Sequence, residues 1–195
     1  MLIRTVTVTI LLLLTLSETA FAGPKQEILT ALKNREAMIK DILGPEEQEY
    51  TDEQREELRV VINEMMDYGE MARFALDDMF HDLEPAEQEE FTRLFSRIIS
   101  NQSVKDPGIY RAEVIYEEIS VNDDRALVTT TIILNNRRIP VLYRMIHEQD
   151  KWFIADMSVD HAWTAESYRR SFQNIIRRRG YEALVESLRR RVEEG

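Results

Sequence analysis

Ser158, Asp160 and His161 put a nucleophile, an acid and a base within a four-residue span. Acyl transfer is the chemistry of such a trio when the base holds the nucleophile's proton. Residues this close in sequence rarely converge with that geometry, and no nucleophile elbow surrounds the serine. Asp156 is the stronger candidate. It follows Trp152 and Ile154 at strand spacing, so regular alternation places it on an apolar face, where a desolvated carboxylate works as a general base. The competing assignment is a strand-end aspartate paired with an arginine or capping a helix. His81, His147 and His161 lack metal-ligand spacing, and the chain has no cysteine. Its six glycines form no phosphate-cradling pattern. Three classes stay open at this point: a binding protein, an Asp156-based small-molecule enzyme or binding module, and a structural interaction protein.

The elements that must position these residues fall into helices, then strands, then helices. A first helix is expected from Pro24 to Leu43, with Ile28, Leu32, Ile39 and Ile42 on one side and Gly44-Pro45 as its stop. A second begins at Thr51, where Thr51 and Gln54 have capping-box spacing. The stretch Met65–Phe80 holds four of the eight methionines. It reads as a junction followed by one amphipathic helix with Tyr68, Met71, Ala72, Ala75, Leu76 and Met79 on a stripe. Pro85 suits the first turn of the next, with Phe91, Leu94, Phe95, Ile98 and Ile99 inward. The period then changes to two. Residues 110–118, 125–134, 138–147 and 152–159 read as strands joined by short turns, hence an antiparallel meander. Val114, Tyr116, Val128, Thr130, Ile132, Val141, Tyr143, Met145, Trp152 and Ile154 define an apolar face that helices must cover. Pro140 marks the third strand as an edge, or delays its pairing. Helices over 163–178 and after Gly180 close the chain. The expected class is α+β: a four-stranded antiparallel curved sheet covered on one face by helices.

The first 22 residues carry Arg4, an apolar run from Val6 to Leu16, and Ala20-Phe21-Ala22. That order is a secretory signal cleaved after Ala22, with a short anchor as the alternative. Residues 23–195 then form one domain in the periplasm. The net charge of −11 is unevenly spread. Glu46 to Glu90 carry 17 acids against three arginines, while the last 27 residues hold eight arginines. The leader argues against a nucleic-acid partner, and most of these charges read as solvated helix faces.

The segment "VINEMMDYGEMARFALDDMFHDLEPAEQEEFTRLF" is similar to a region of the MlaC-type toluene-tolerance proteins. Downstream, Pro140-Val141-Leu142-Tyr143-Arg144, the Trp152-x-Ile154-x-Asp156 strand, the Tyr168-Arg169-x-x-Phe172 helix and the Gly180-x-x-x-Leu184 helix resemble the same family in order and spacing. The resemblance runs from about Pro24 to Arg191. It implies an NTF2-like cone with extra N- and C-terminal helices, and a periplasmic phospholipid carrier without catalysis. It also implies partners: an inner-membrane ABC transporter with an MCE-domain ring, and in many bacteria an outer-membrane lipoprotein. No cofactor is implied beyond the phospholipid cargo. The family often has "GVSL" where this chain has His161-Ala162-Trp163-Thr164, so Trp163 is expected to narrow or lid the pocket.

Two acyl tails total about thirty methylenes, on the order of 20 kcal/mol of exposed apolar surface. A carrier must offset most of this with deformable walls. Met65, Met66, Met71, Met79, Met145 and Met157 are expected to supply softness. Phe95, Tyr116, Tyr143, Trp152 and Phe172 supply area, and Ile99, Val114, Val128, Thr130, Val141 and Ile154 complete the lipid-binding set. Tyr168 and Arg169 match the family's Tyr-Arg pair, where an arginine near the opening would bind phosphate bidentately.

Overall fold

The computed structural model describes residues 23–45 and 50–194; the expected leader lies outside the described residues. Helix α1 spans Pro24–Leu43, begun by Pro24 at its first position and ended by Gly44 at φ 57°. Its last carbonyls are not left bare. Arg111 donates to the Leu43 carbonyl at 2.7 Å and to that of Gly44, and Gln54 donates to the Ile42 carbonyl at 2.7 Å. Helix α2, Asp52–Asn63, opens with the expected box: Thr51 accepts from the Gln54 backbone, and Gln54 returns the bond.

The methionine-rich stretch forms two helices rather than one. Helix α3 (Tyr68–Leu76) and the short α4 (Asp78–Asp82) are separated by Asp77 at φ 58°, which the 3.6-residue period alone does not reveal. Arg169 pairs with the Asp77 carboxylate at this break. Helix α5, Pro85–Ser103, follows, then a 3-10 turn over Pro107–Arg111, so the first strand starts later than its alternation implied.

The sheet comprises β1 (Glu113–Asn122), β2 (Arg125–Leu134), β3 (Arg137–Glu148), β4 (Lys151–Val159) and β5 (Ala162–Trp163). The order is β1-β2-β3-β4-β5, antiparallel throughout. Five strands replace the expected four, because Ala162-Trp163 folds back on Ser158 and Val159. Asn135-Asn136, Gln149-Asp150 and Asp160-His161 all hold positive φ, the geometry a two-residue hairpin needs to match strand twist. Pro140 does not mark an edge, since β3 is interior. Its carbonyl accepts from Asp160 just beyond the last β3–β4 pair, Val141 with Val159. The missing N–H therefore costs no ladder bond.

A bulge in β4 decides which side chains face inward. Arg144 pairs with Asp156 but Met145 pairs with Ile154, leaving Ala155 as the extra residue. Trp152 and Ile154 share a face with Met157 and Val159, while Asp156 and Ser158 turn to the other. The outer edge of β4 is closed by Met65–Asp67. Ile154 donates to the Met65 carbonyl at 2.7 Å, and Asp67 donates to the Ile154 carbonyl at 2.9 Å.

Helices α6 (Thr164–Arg179) and α7 (Tyr181–Glu193) complete the chain, joined by Gly180 at φ 85°. Helices α3, α5, α6 and α7 build a core of their own around Phe91, Phe95 and Phe172, all fully buried. Their rings lie 5.6–5.8 Å apart between centroids. A second core forms where Ile28 and Leu32 of α1 meet Val128, Met145, Trp152 and Ile154 of the sheet. Arg189 reaches Glu90 at 2.7 Å, so with Arg169–Asp77 the basic C-terminal helices lean on the acidic segment.

Candidate functional site

A cavity of about 170 Å³ lies between α1 and the sheet. Helix α1 contributes Leu32, Arg35, Glu36 and Ile39, spaced i, i+3, i+4 and i+7 on one face. Ile62, Met65 and Met66 close one side, and Ile109 and Tyr110 of the 3-10 turn another. The sheet provides Val114, Tyr116, Ile132, Val141, Tyr143, Ile154, Met157 and Val159. The cavity exists because α1 packs fully on the sheet only through Ile28 and Leu32. Toward its C-terminus it packs instead on α2 through Ile39 and Leu43. The space between these two contacts is lined by apolar and phenolic side chains, with Arg35 and Glu36 the charged members.

Two of the three phenols at this wall donate hydrogen bonds. Tyr110 donates to the Ser103 carbonyl at 2.8 Å, and Tyr116 to Glu36 at 3.1 Å. Burial raises the pKa of Tyr110 above the ordinary phenol value, and burial and then the Glu36 carboxylate do the same for Tyr116. Burial pushes Tyr143 up to about 12, against a hydrogen bond with Thr130 that lowers it. The three phenols are therefore neutral at neutral pH. Arg35 pairs with Glu64 at 2.8 Å and Glu36 with Lys40 at 2.6 Å. Such a wall suits a flexible apolar guest, with its few polar groups confined to one flank.

The expected lipid-binding residues divide between cavity and core. Val114, Tyr116, Val141, Tyr143 and Ile154 line the cavity. Val128, Met145 and Trp152 do not: they are buried in the core that the sheet forms with α1, and Thr130 is buried with its hydroxyl donating to the Val141 carbonyl at 2.8 Å. Met71, Phe95, Ile99 and Phe172 belong to the helical core, and half-buried Met79 sits in α4. Tyr168 packs on Phe95 and Phe172 and donates to Gln102 at 3.0 Å. Arg169 is engaged by Asp77, so neither member of the Tyr-Arg pair reaches the cavity. Trp163 neither lines nor lids it. Its ring stacks 3.8 Å from the Arg144 guanidinium, outside the cavity lining.

Leu32, Arg35, Glu36, Ile39, Ile62, Ile109 and Tyr110 were not among the expected residues. A signal existed for two of them. Arg35 and Glu36 interrupt the apolar stripe running from Leu32 to Ile39, and charges on a buried stripe mark a wall that is not plain core.

Asp156 lies on the sheet face away from the cavity, opposite to the expectation from Trp152 and Ile154, because the Ala155 bulge inverts the alternation. Its side chain is only 4% exposed. One oxygen accepts from the backbone of Met157 at 2.9 Å and of Ala165 at 3.0 Å; the other meets Arg144 at 3.4 Å. Ala165 is the second residue of α6, so the carboxylate anchors that helix's N-terminus to the sheet. Ser158 Oγ is buried without a partner, and Asp160 and His161 are exposed in the turn beyond it.

Burial raises the Asp156 pKa above 3.8, against the lowering effects of the two backbone bonds and Arg144. The folded state therefore holds this proton to higher pH than the unfolded chain does. The associated stability is fully present below the unfolded value and is lost as pH rises through the folded one. Asp156→Asn is expected to remove that component. The difference in urea midpoint between wild type and variant should change as pH rises above the unfolded carboxyl's value, and a pH-independent difference would contradict it.

Among the described residues no helix is long and apolar enough to cross a membrane, and no cluster of three His, Asp or Glu side chains is placed to hold a metal ion. The family model for the MlaC protein matches residues 32–190. This chain belongs to the MlaC family. The match spans α1 to α7, taking in every element that lines the cavity. No curated protein matches the chain significantly. Among solved structures, the fold is similar to a phospholipid-binding protein from Ralstonia solanacearum, solved in complex with a phospholipid. The TM-score is 0.72 at 20% identity, covering 86% of this chain and 96% of that one. The MlaC membership and this shared fold are thus established on different grounds, one from sequence and one from shape.

Proposed function

We propose that this MlaC-family chain is a phospholipid carrier that holds acyl chains in the cavity between α1 and the sheet. The observation that carries the reading is that cavity, walled by aliphatic, methionine and phenolic side chains in a family member whose fold matches a phospholipid-bound protein. In the conformation described it is small. A dry apolar cavity of about 150 Å³ accepts a benzene ring, so loading two chains requires the walls to move. Met65, Met66 and Met157 supply part of that movement, because an unbranched thioether repacks at little cost.

The carrier reading extends to the export signal and the family's partners. After cleavage behind Ala22 the domain works in the periplasm. It exchanges lipid there with an inner-membrane MCE-domain ring and its ABC transporter, and with an outer-membrane lipoprotein complex, maintaining outer-membrane lipid asymmetry. Binding rather than catalysis is the activity, consistent with Asp156 serving as a helix anchor.

The test is the identity of what the protein carries. Purified from a Gram-negative host and examined by native mass spectrometry, it is expected to show a mass increment that solvent extraction identifies as phospholipid. Strictly ligand-free protein that also takes up no labelled lipid from vesicles would sink the reading.

A further inference from the structure

Helix α1 presents a second stripe beside the one that lines the cavity. A shallow groove between α1 and the edge strand β1 is lined by Lys33, Glu36, Ala37, Lys40, Val114 and Tyr116. On the helix these fall at i, i+3, i+4 and i+7, one position round from Leu32, Arg35, Glu36 and Ile39. Groove and cavity share Glu36, Val114 and Tyr116, so they adjoin along the α1–β1 seam. We infer that this groove is the headgroup subsite, in which Lys33 and Lys40 bind the phosphodiester of a lipid whose chains occupy the cavity. The inference rests on the carrier reading and adds that the protein selects phosphate-bearing lipids over neutral diacylglycerol.

The charge of the groove suits a phosphate. The chain carries a net −11, yet the groove presents Lys33 and Lys40 against a single carboxylate, Glu36, while Arg35 beside it is already paired with Glu64. The Glu36 carboxylate is already engaged by Lys40 at 2.6 Å and by the Tyr116 hydroxyl at 3.1 Å. Its repulsion of a phosphate is thereby reduced, and Lys40 keeps two further N–H donors for an incoming oxygen. Position supports the same assignment. Lys33 makes no ion pair among the described residues, and its ammonium stands 5.8 Å over the ring of Tyr116, a cavity-lining residue. Chains inserted beneath Tyr116 thus bring the glycerol phosphate between Lys33 and Lys40, with Ala37 leaving room between them. Lysine suits this task because it meets phosphate as a point charge without demanding bidentate geometry, so varied headgroups are admitted.

The experiment compares loading of the delipidated protein with fluorescent phosphatidylglycerol and with diacylglycerol of the same chains, delivered from identical maltoside micelles. The wild type is expected to prefer the phospholipid by roughly tenfold, the decade that one charge-assisted contact supplies. Lys33→Gln/Lys40→Gln is expected to lose that preference, with phospholipid loading falling and diacylglycerol loading unchanged. Both lysines are exposed, and a thermal melt checks that the variant stays folded. Equal loading of both lipids by the wild type, or a preference that survives in the variant, overturns the headgroup subsite and leaves the carrier reading standing. Loading of neither lipid overturns the carrier reading itself. Inorganic phosphate at millimolar concentration and constant ionic strength is expected not to displace the phospholipid; displacement would assign the lysines to free phosphate instead.

Discussion

Met157→Glu is expected to empty the cavity of lipid while leaving the fold intact. Met157 is half-buried, lies opposite Tyr143 in the β3–β4 ladder, and stands between Ile154 and Val159 in the cavity wall. Glutamate has a similar length, and in the lipid-free protein its carboxylate keeps a hydration shell. An acyl chain must strip that water away. Desolvating the charge without a partner costs on the order of 3 kcal/mol or more, at least about a hundredfold in affinity. The check is side-by-side extraction of wild type and variant, with far-ultraviolet circular dichroism to confirm the fold. A variant that retains lipid at wild-type stoichiometry would remove Met157 from the wall.

Phe95→Ala is expected to act in the opposite way, lowering stability and sparing the cavity. Phe95 is fully buried and meets Phe91, Phe172 and Tyr168, with ring centroids 5.1–5.8 Å apart. Truncation removes buried area and leaves a void that neighbouring rings cannot fill. The cost is about 3–5 kcal/mol, which for a domain of this size lowers the melting midpoint by roughly 6–20 °C. Lipid bound per folded molecule should not change, because Phe95 belongs to the helical core. Loss of lipid without loss of stability would return Phe95 to the binding wall, where its aromatic character alone had placed it.

These two residues show what the sequence makes legible. Both are large and apolar at regular spacing, and periodicity says only that each faces inward. It does not say which interior, and this protein has a filled one between helices and a hollow one under α1. Elements with local signals are plain from the sequence. Pro24 and Gly44 bound α1, Thr51 and Gln54 form their box, and Asn135-Asn136 turns as a pair of small polar residues should. Features set by tertiary contacts are not. The break at Asp77 is accompanied by Arg169 from ninety-two residues away. The pairing of Met65–Asp67 with Ile154 depends on β4 having a free edge to cover. The bulge at Ala155 has no residue signature, and without it strict alternation sends Asp156 to the wrong side.

That bulge bears on how the lineage of this protein can vary in length. In a regular strand, gaining or losing one residue inverts every side chain beyond the change. At Ala155 the surplus residue is already absorbed. Losing it would turn β4 into an uninterrupted strand with Trp152, Ile154, Met157 and Val159 still facing inward and Asp156 still beside Arg144. A one-residue deletion at this point is therefore silent to the lining. The same deletion at Phe153 or Ser158 exchanges a polar surface for an apolar one. Relatives that differ in length along β4 should carry their gap here.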